Sequence, residues 1–362
     1  MDKIRVAVVG LGFGTSFAKI YMDHPDVEYV GICEINEARL HDIGEELGIP
    51  SNRRHNQLEA ILSSDDYDAV HLLTPIPLHA EQSLAILNSG KHCACAVPMG
   101  TTLEELQAIV EASRSNGKNY MMMETAVYTS YFLLVKELVE RGEFGRIQFL
   151  RGSHYQDMEN WPAYWSGLPP MHYATHAIAP LLAISRMRAV KVHCLGSGYM
   201  REELQKSYGN PFPIESAIYQ LEDGRLSAEV TRTLFHTARE ILEGFHVYGE
   251  TASFEWHLHN EQPILFRKEE QPPGAWGLRF VPERIAEEPD YGHLLPPEIA
   301  HHTAGGHHGS HPHLVHEFIR SIMEKRNPWI DAVTSANWTA AGICAHQSAL
   351  QGGAEIMIPS FE

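Results

Sequence analysis

Cysteine is scarce in this chain: there are five in 362 residues, with no regular spacing. That excludes a disulfide framework. Cys93 and Cys95, two apart in an apolar run, read as one face of a buried strand. Positive charge is also short, with 28 Lys plus Arg against 46 Asp plus Glu and a formal net charge of −18. A surface that acidic repels phosphate backbones and anionic lipid, so neither nucleic acid nor a membrane surface is expected as a partner. No apolar stretch approaches the roughly 18–20 residues of a membrane helix. Ile4–Val9 runs straight into glycines with no cleavage region behind it, which argues against a signal peptide. No internal repeat or low-complexity tract is visible. A reduced, cytoplasmic protein is the expectation. Hydrophobic residues make up 44%, enough for a full core. At roughly 100–200 residues per domain, the length predicts two domains. Histidine is unusually abundant at 23, seven of them between His301 and His316.

The first 125 residues alternate between short apolar strands and helix-like stretches. Strands are predicted at 4–9, 27–32, 68–73, 92–97 and 120–123, with helices at 16–23, 37–47, 56–63, 79–89 and 103–116. That order implies a parallel sheet covered on both faces. After Tyr128 the pattern changes. One helix over 131–141 precedes strand-like runs at 147–153, 190–196, 216–221, 226–233, 241–248 and 252–256, which suggest an antiparallel sheet. The stretch from Glu261 to His301, rich in Pro and Glu, reads as a long irregular excursion. Two helices, about 313–325 and 335–351, and a final run at 356–359 close the chain.

Gly10-Leu-Gly-Phe-Gly-Thr15 lies between a strand and a helix, as in a dinucleotide fingerprint. Gly10 would make the tight turn and Gly12 would let the backbone approach a pyrophosphate. The third position holds Thr15, with Gly14 one place early, so Phe13, Gly14 and Thr15 depart slightly from the strict motif. Such a cluster alone could be an ordinary strand-to-helix turn. Glu34, at the end of the next strand, strengthens the dinucleotide reading, because a carboxylate there accepts from the ribose 2′-OH and repels a 2′-phosphate. NAD is therefore expected over NADP. Thr74-Pro75-Ile-Pro-Leu-His79 sits where another strand ends, and ligands of open parallel sheets lie outside those ends. A Pro-stiffened loop that merely starts a helix is the plainer alternative.

These marks together resemble the Gfo/Idh/MocA oxidoreductase family of glucose–fructose oxidoreductase and inositol dehydrogenase. The matching residues are Gly10-x-Gly12, Thr74-Pro75-x-x-x-His79, Gly90-Lys-His-x-x-x-x-x-Pro98 with Thr101, Lys136-Glu-Leu with Gly142-x-x-Gly145, and His176. The resemblance implies a doubly wound parallel Rossmann domain (1–125). It also implies a substrate-binding and oligomerisation domain (126–362) of α+β type, built on a large, open-faced, mainly antiparallel sheet. The chain would form a homodimer or homotetramer through that sheet. Departures from the family pattern are specific. The usual Glu-Lys-Pro reads Ala96-Val97-Pro98, and valine cannot hydrogen-bond or move a proton. The usual Asp-x-Gly-x-His reads His172-Tyr-Ala-Thr-His176, and the usual Asn and Arg near the junction are Thr125 and Val127. Val97-Pro98, Met122-Met-Glu124 and Tyr173-Ala-Thr-His176 also resemble the family's NAD-dependent glycoside hydrolases. In that branch a sugar carbon is transiently oxidised, the glycosidic bond eliminated and the hydride returned.

Hydride transfer from a sugar carbinol needs a base for the hydroxyl proton, and elimination needs a second base and an acid. With valine at the lysine position, His172, Tyr173 and His176 are the candidate catalytic residues. Positions 172 and 176 would share a face if they lay on one helix; either could instead only cap or pack it. His154, Tyr155, Trp161 and Trp165 offer aromatic and polar surface for a pyranose, or an aromatic satellite core. Glu124 could contact substrate or nicotinamide, or be a surface carboxylate. The imidazoles of 301–316 invite a metal reading, but no Cys or carboxylate sits at ligand spacing. No metal is expected, and Gly305-Gly306-His307 reads as a loop bringing His307 to a sugar. Three readings compete: a redox-neutral NAD enzyme cleaving a glycoside, a net sugar or inositol dehydrogenase, and a non-catalytic sensor.

Overall fold

The computed structural model describes residues 3–256, 262–269 and 271–362. The chain divides into two compact units. The first comprises Met1–Thr129, Asp290–Thr339 and Phe361–Glu362, and the second Ser130–Pro289 and Ala340–Ser360. A cut near residue 125 differs from this at both ends. The glycine turn and strands of the N-terminal part are completed by a helix from sequence 290–339, which a linear division assigns elsewhere.

The first unit carries β1 (Ile4–Val9), β2 (Val27–Cys33), β3 (Arg54–His55), β4 (Ala69–Leu72), β5 (His92–Cys95) and β6 (Tyr120–Met122), in the order β3-β2-β1-β4-β5-β6. Every pairing in this sheet is parallel. Its helices are α1 (Leu11–Asp23), α2 (Glu37–Glu46), α3 (Leu58–Leu62), α4 (His79–Asn88) and α5 (Leu103–Asn116). β4 is buried at every position, as a strand covered on both faces must be. Thr102 and Glu105 form a reciprocal capping box at the start of α5. Two expectations shift. The two-residue β3 is too short to leave a periodic signal. α1 starts at Leu11 rather than Ser16, because Gly10, at φ +90°, reverses the chain in one residue.

The second unit contains α6 (Ser130–Glu140), β7 (Ile147–Tyr155), α7 (Thr175–Ser185), β8 (Ala189–Ser197), α8 (Glu202–Gln205), β9 (Ile214–Leu221), β10 (Ser227–Thr233), β11 (Leu242–Gly249), β12 (Ala252–Glu255), β13 (Ile264–Lys268), β14 (Phe280–Arg284) and β15 (Ile356–Met357). Its nine strands run β14-β13-β12-β11-β7-β10-β9-β8-β15, antiparallel except for the parallel pair β7/β10. α7 packs on β7, and a Cβ at Gly152 would meet the Ala177 carbonyl oxygen at 2.1 Å, so only glycine lets the helix backbone approach this closely. The segment read as irregular holds β13 and β14, paired to each other; Glu261 itself lies outside the described residues. Its strands escape periodicity because β14 is exposed at all five positions and so never alternates. The chain also contains α9 (Pro297–Ala300), α10 (Ser310–Met323) and α11 (Ala332–Leu350). Among the described residues no helix is long and apolar enough to cross a membrane.

Candidate active site

The candidate cofactor site is built in the first unit. Gly10 closes on β4, where a Cβ would lie 2.4 Å from the Leu73 carbonyl oxygen. A Cβ on Gly12 would meet only the Arg39 guanidinium, at 3.9 Å, so the start of α1 stays open to a ligand. Gly14 faces Val8 and Leu73 at 3.0 and 3.2 Å, so it performs the helix–strand packing that the strict motif gives its third glycine. Thr15 bonds back to the Leu11 carbonyl. Phe13 is half exposed and stands edge-on to Phe17, His307 and His311. α1 has no side-chain cap and no acidic residue in its first turn, which suits an N-terminus that receives a pyrophosphate.

Glu34 is buried, and its carboxylate accepts from Leu11 N–H and Asn36 N–H, both at 3.0 Å. Those bonds fix an acceptor beside the glycine turn, where a ribose hydroxyl would donate. Arg39, whose guanidinium is 3.5 Å from Glu34, was not singled out by the sequence. It adds a cation at the ribose end, of the kind that accommodates a 2′-phosphate in other Rossmann folds.

His79 explains why Thr74-Pro75 and Val97-Pro98 belong to one motif. Its Nδ1 lies 2.7 Å from the Pro98 carbonyl oxygen and its Nε2 2.8 Å from that of Thr74. Carbonyls only accept, so both ring nitrogens must carry protons and the imidazole is cationic. Burial alone would lower its pKa. The Cys95 sulfur and the two carbonyls outweigh that and raise it from 6.5 to about 9. Thr74 Oγ1 donates to Gln82. Val97 is buried, and Glu124, also buried, accepts from Ala126 N–H.

The second unit gathers the other candidates in two groups. The ring of His154 lies 5.3 Å from that of His176 and 5.9 Å from that of Tyr173. Tyr173 Oη lies 3.4 Å from His176 Nε2. Trp165 stands edge-on to Tyr173 at 4.7 Å, and its buried indole N–H has no hydrogen-bond partner among the described residues. Trp161 touches Trp165 but is half exposed, and Tyr155 is half-buried at the end of β7. His307 belongs to the first unit, against Phe13 and His311.

His172 goes elsewhere. It lies on the short turn Pro170–Tyr173, whereas His176 is the second residue of α7, so the two do not share a helical face. The His172 ring packs edge-on to His346 of α11 at 5.1 Å. His346 Nδ1 bonds at 2.6 Å to Glu215 Oε1, and Glu215 Oε2 accepts from Met171 N–H at 2.9 Å. Burial, then the neighbouring His346, lower the His172 pKa to about 3, so it is neutral near pH 7.

Arg232 binds the first group to the sheet. It is fully buried on β10, and its guanidinium donates to the carbonyls of Tyr173 (2.8 Å), His154 (3.2 Å) and Thr233, and to Gln156 Oε1 (3.1 Å). Burial lowers its pKa to about 9, which leaves it charged at neutral pH. Glu243 approaches His154 Nε2 at 3.5 Å. Arg232, Glu215 and His346 were not among the residues expected. Arg232 continues the inward phase of Ala228 and Val230, and Glu215 that of Ala217 and Tyr219; a charge in an apolar phase was the available signal.

A glycine turn open to a ligand, a fixed carboxylate just beyond β2 and loops braced outside the strand ends are the parts of an NAD-binding Rossmann oxidoreductase domain. Residues 4–124 match the sequence profile of the Gfo/Idh/MocA oxidoreductase family, NAD-binding Rossmann fold, and the cofactor is NAD. A glycosyl hydrolase family 109 protein of Saccharopolyspora erythraea is 23% identical across 99% of this chain and 83% of its own length. Its namesakes in Porphyromonas gingivalis and Shewanella baltica are 26% and 29% identical over 50% of this chain. Those alignments span only 42% and 44% of the relatives' own length. Among solved structures, levoglucosan dehydrogenase in complex with NADH and levoglucosan aligns with a TM-score of 0.81 at 20% identity, covering 99% of this chain and 100% of that one. Myo-inositol 2-dehydrogenase from Lactobacillus plantarum gives 0.75 at 18%, covering 99% and 100%. These likenesses establish the fold.

Two outcomes follow for the cofactor site. Protein stripped of nucleotide should bind NAD⁺ more tightly than NADP⁺, and Glu34→Ala should narrow the difference, with Arg39 then favouring the 2′-phosphate. Titration of both nucleotides decides it, and equal or tighter NADP⁺ binding by the unsubstituted protein defeats the assignment to Glu34.

The raised His79 pKa gives a stability contribution fully present below about pH 6.5 and lost as pH rises through about 9, of about 3–4 kcal/mol at most. Thermal melts should therefore weaken between neutral pH and about pH 10 in the unsubstituted protein. His79→Asn should be less stable at pH 7 and flatter across that range. Parallel pH profiles for the two proteins would remove the charged imidazole from the account.

Proposed function

We propose that this chain handles a sugar or glycoside through hydride transfer at a ring carbon, in redox-neutral cleavage of a glycosidic bond. The observation that carries the reading is the Tyr173–His176–His154 cluster beside Trp165, in a chain that has Val97 where the resemblance implies lysine. NAD, when bound, supplies a hydride acceptor and donor at the nicotinamide. The first unit holds it through the Gly10–Thr15 turn, Glu34, Thr74-Pro75, His79 and Val97-Pro98, with Glu124 nearby in sequence.

In the second unit Tyr173 Oη passes its proton to His176 Nε2 as it takes one from a substrate hydroxyl, which leaves Tyr173 neutral, His176 as the imidazolium and the substrate oxygen as an alkoxide; the reverse transfer returns the proton. His154, approached by Glu243, is the second proton-handling group, suited to the C–H beside the oxidised carbon or to the leaving oxygen. Trp165 and Trp161 offer aromatic faces to the pyranose, with Tyr155 as a further polar contact. His172 takes a narrower role than a general base. A neutral imidazole with a pKa of about 3 abstracts protons poorly near pH 7, and it serves as a fixed hydrogen-bonding group backed by His346 and Glu215. The family 109 names of the curated relatives support this reading. The sugar and inositol dehydrogenases among the structural neighbours favour the second one, a net dehydrogenase.

A panel of glycosides, followed for NADH absorbance and released aglycone together in deuterated water, separates them. Cleavage should proceed over many turnovers with substoichiometric NADH and with deuterium entering next to the oxidised carbon. His176→Gln should lower turnover on the order of 10²-fold or more while leaving NAD⁺ affinity intact. NADH formed one-for-one with product and no deuterium uptake would leave an ordinary dehydrogenase. Release of neither product with any sugar, alongside sugar binding, would leave a sensor.

The open face of the second sheet is proposed as a homodimer or homotetramer interface. Its outward positions expose Leu195, Ile218 and Val281, apolar side chains that a partner would cover. Light scattering should give an oligomeric mass, reduced by Ile218→Glu. A monomer at micromolar concentration would sink the proposal.

A further inference from the structure

The histidine-rich segment offers imidazoles but no carboxylate at ligand spacing in the sequence. The fold supplies one from 278 residues away. Asp23, the last residue of α1, meets the turn His301–Ala304 within the first unit. His302 Nε2 lies 2.8 Å from Asp23 Oδ2, and His301 Nε2 lies 3.7 Å from the same oxygen. One donor atom from each of the three residues falls within 4.8 Å of the other two.

A hydrogen bond accounts for only half of this arrangement. The His302 contact is an ordinary one, but it leaves unexplained a second imidazole whose nitrogen points at the same oxygen. The two rings lie 4.1 Å apart at a 35° tilt, which places both Nε2 edges on one side. A divalent ion would take all three donor atoms at once. With bonds of about 2.0–2.1 Å at tetrahedral angles, the ligand atoms of a zinc site sit about 3.3 Å apart. The observed 2.8 and 3.7 Å bracket that spacing, and the two imidazole nitrogens lie within 4.8 Å of each other, so side-chain adjustment alone would close the three donors on one ion.

Two nearby histidines make contacts of their own: Asp26 N–H donates to His24 Nδ1, so His24 carries its proton on Nε2 and donates it to His316 Nδ1 at 3.0 Å. Asp23, His301 and His302 each reach solvent, so water would complete the coordination.

We propose that Asp23, His301 and His302 bind one divalent transition-metal ion of the zinc type, tying the C-terminal end of α1 to the turn over 301–304. Two imidazoles and one carboxylate are a borderline donor set, suited to Zn²⁺ and poorly suited to Mg²⁺ or Ca²⁺, which prefer oxygen. The ion would act as a structural staple at the C-terminal end of α1, away from the glycine turn at its other end. Nothing in the proposed reaction uses it, so this inference stands or falls independently of the substrate.

The test is calorimetric titration of Zn²⁺ into chelator-treated full-length protein at neutral pH, in a buffer that does not coordinate the metal. One equivalent should bind tightly. His301→Ala, His302→Ala and Asp23→Asn should each weaken that event by about tenfold or more, and the triple variant should lose it. All three positions reach solvent, and unchanged NAD⁺ affinity in the variants will show that they fold. Affinity should fall as pH drops below about 6.5, because protons compete for the imidazoles. Zn²⁺ should raise the melting temperature of the unsubstituted protein and not that of the triple variant. Equal amounts of Mg²⁺ should not displace the ion. Retention of the tight event in the triple variant would place the metal on other histidines and overturn the assignment. Binding by the unsubstituted protein no tighter than by the triple variant would overturn the site altogether.

Discussion

A buried cation that donates to backbone carbonyls organises each half of this protein. In the first unit it is His79, which spans the carbonyls of Thr74 and Pro98 and so braces the two loops beyond β4 and β5. In the second it is Arg232, whose planar fork gathers the carbonyls of Tyr173, His154 and Thr233. Carbonyls outside regular ladders are the acceptors a loop leaves over, and burying them unpaired costs about 1–3 kcal/mol each. A cation with several donors satisfies two or three at once and fixes the loop in the process. The desolvation of the charge is offset only while all those bonds are made, which makes loop position all-or-none. Both loops carry candidate functional residues, so the same bonds that keep the cation charged also hold the chemistry in place.

This reliance on main-chain acceptors also sets what the sequence can tell. The parallel sheet was legible because β1, β2, β4 and β5 are continuous apolar runs bounded by glycine, proline or a carboxylate. Glu34 was legible because a fixed spacing ties it to the glycine turn. Carbonyls have no letter in the sequence, so the partners of Arg232 and His79 could not be read. The charge itself could be: arginine in the inward phase of β10 and glutamate in that of β9 break an apolar alternation. The residues that did cluster, Tyr173, His176, His154 and Trp165, share one region of sequence or one register of the sheet. The paired strands β13 and β14 were lost to the opposite cause, since an exposed edge lacks the alternation that marks a half-buried strand. His172 shows the limit of local spacing. Four residues from His176, it diverges because Ala174 separates a tight turn from α7, and a helix-face argument fails at that break.

The divergence has an electrostatic consequence. The resemblance implies a lysine and an aspartate among the reacting groups, and this chain has Val97 and His172 at those positions. Each substitution removes a charge, and the second puts an imidazole where a carboxylate is implied. Glu215, fully buried, is spent on His346 Nδ1 and Met171 N–H. Burial, then the neighbouring His346, lower the His172 pKa. The outcome is a neutral imidazole at a position where the resemblance implies an anion. The anionic partner is moved instead to His154, approached by Glu243. An anion beside an imidazole stabilises its protonated form, and a cation beside one destabilises it. Of the two groups, then, the one around His172 holds a ring that stays neutral near pH 7, and the one around His154 holds the carboxylate contact, to Glu243 at 3.5 Å.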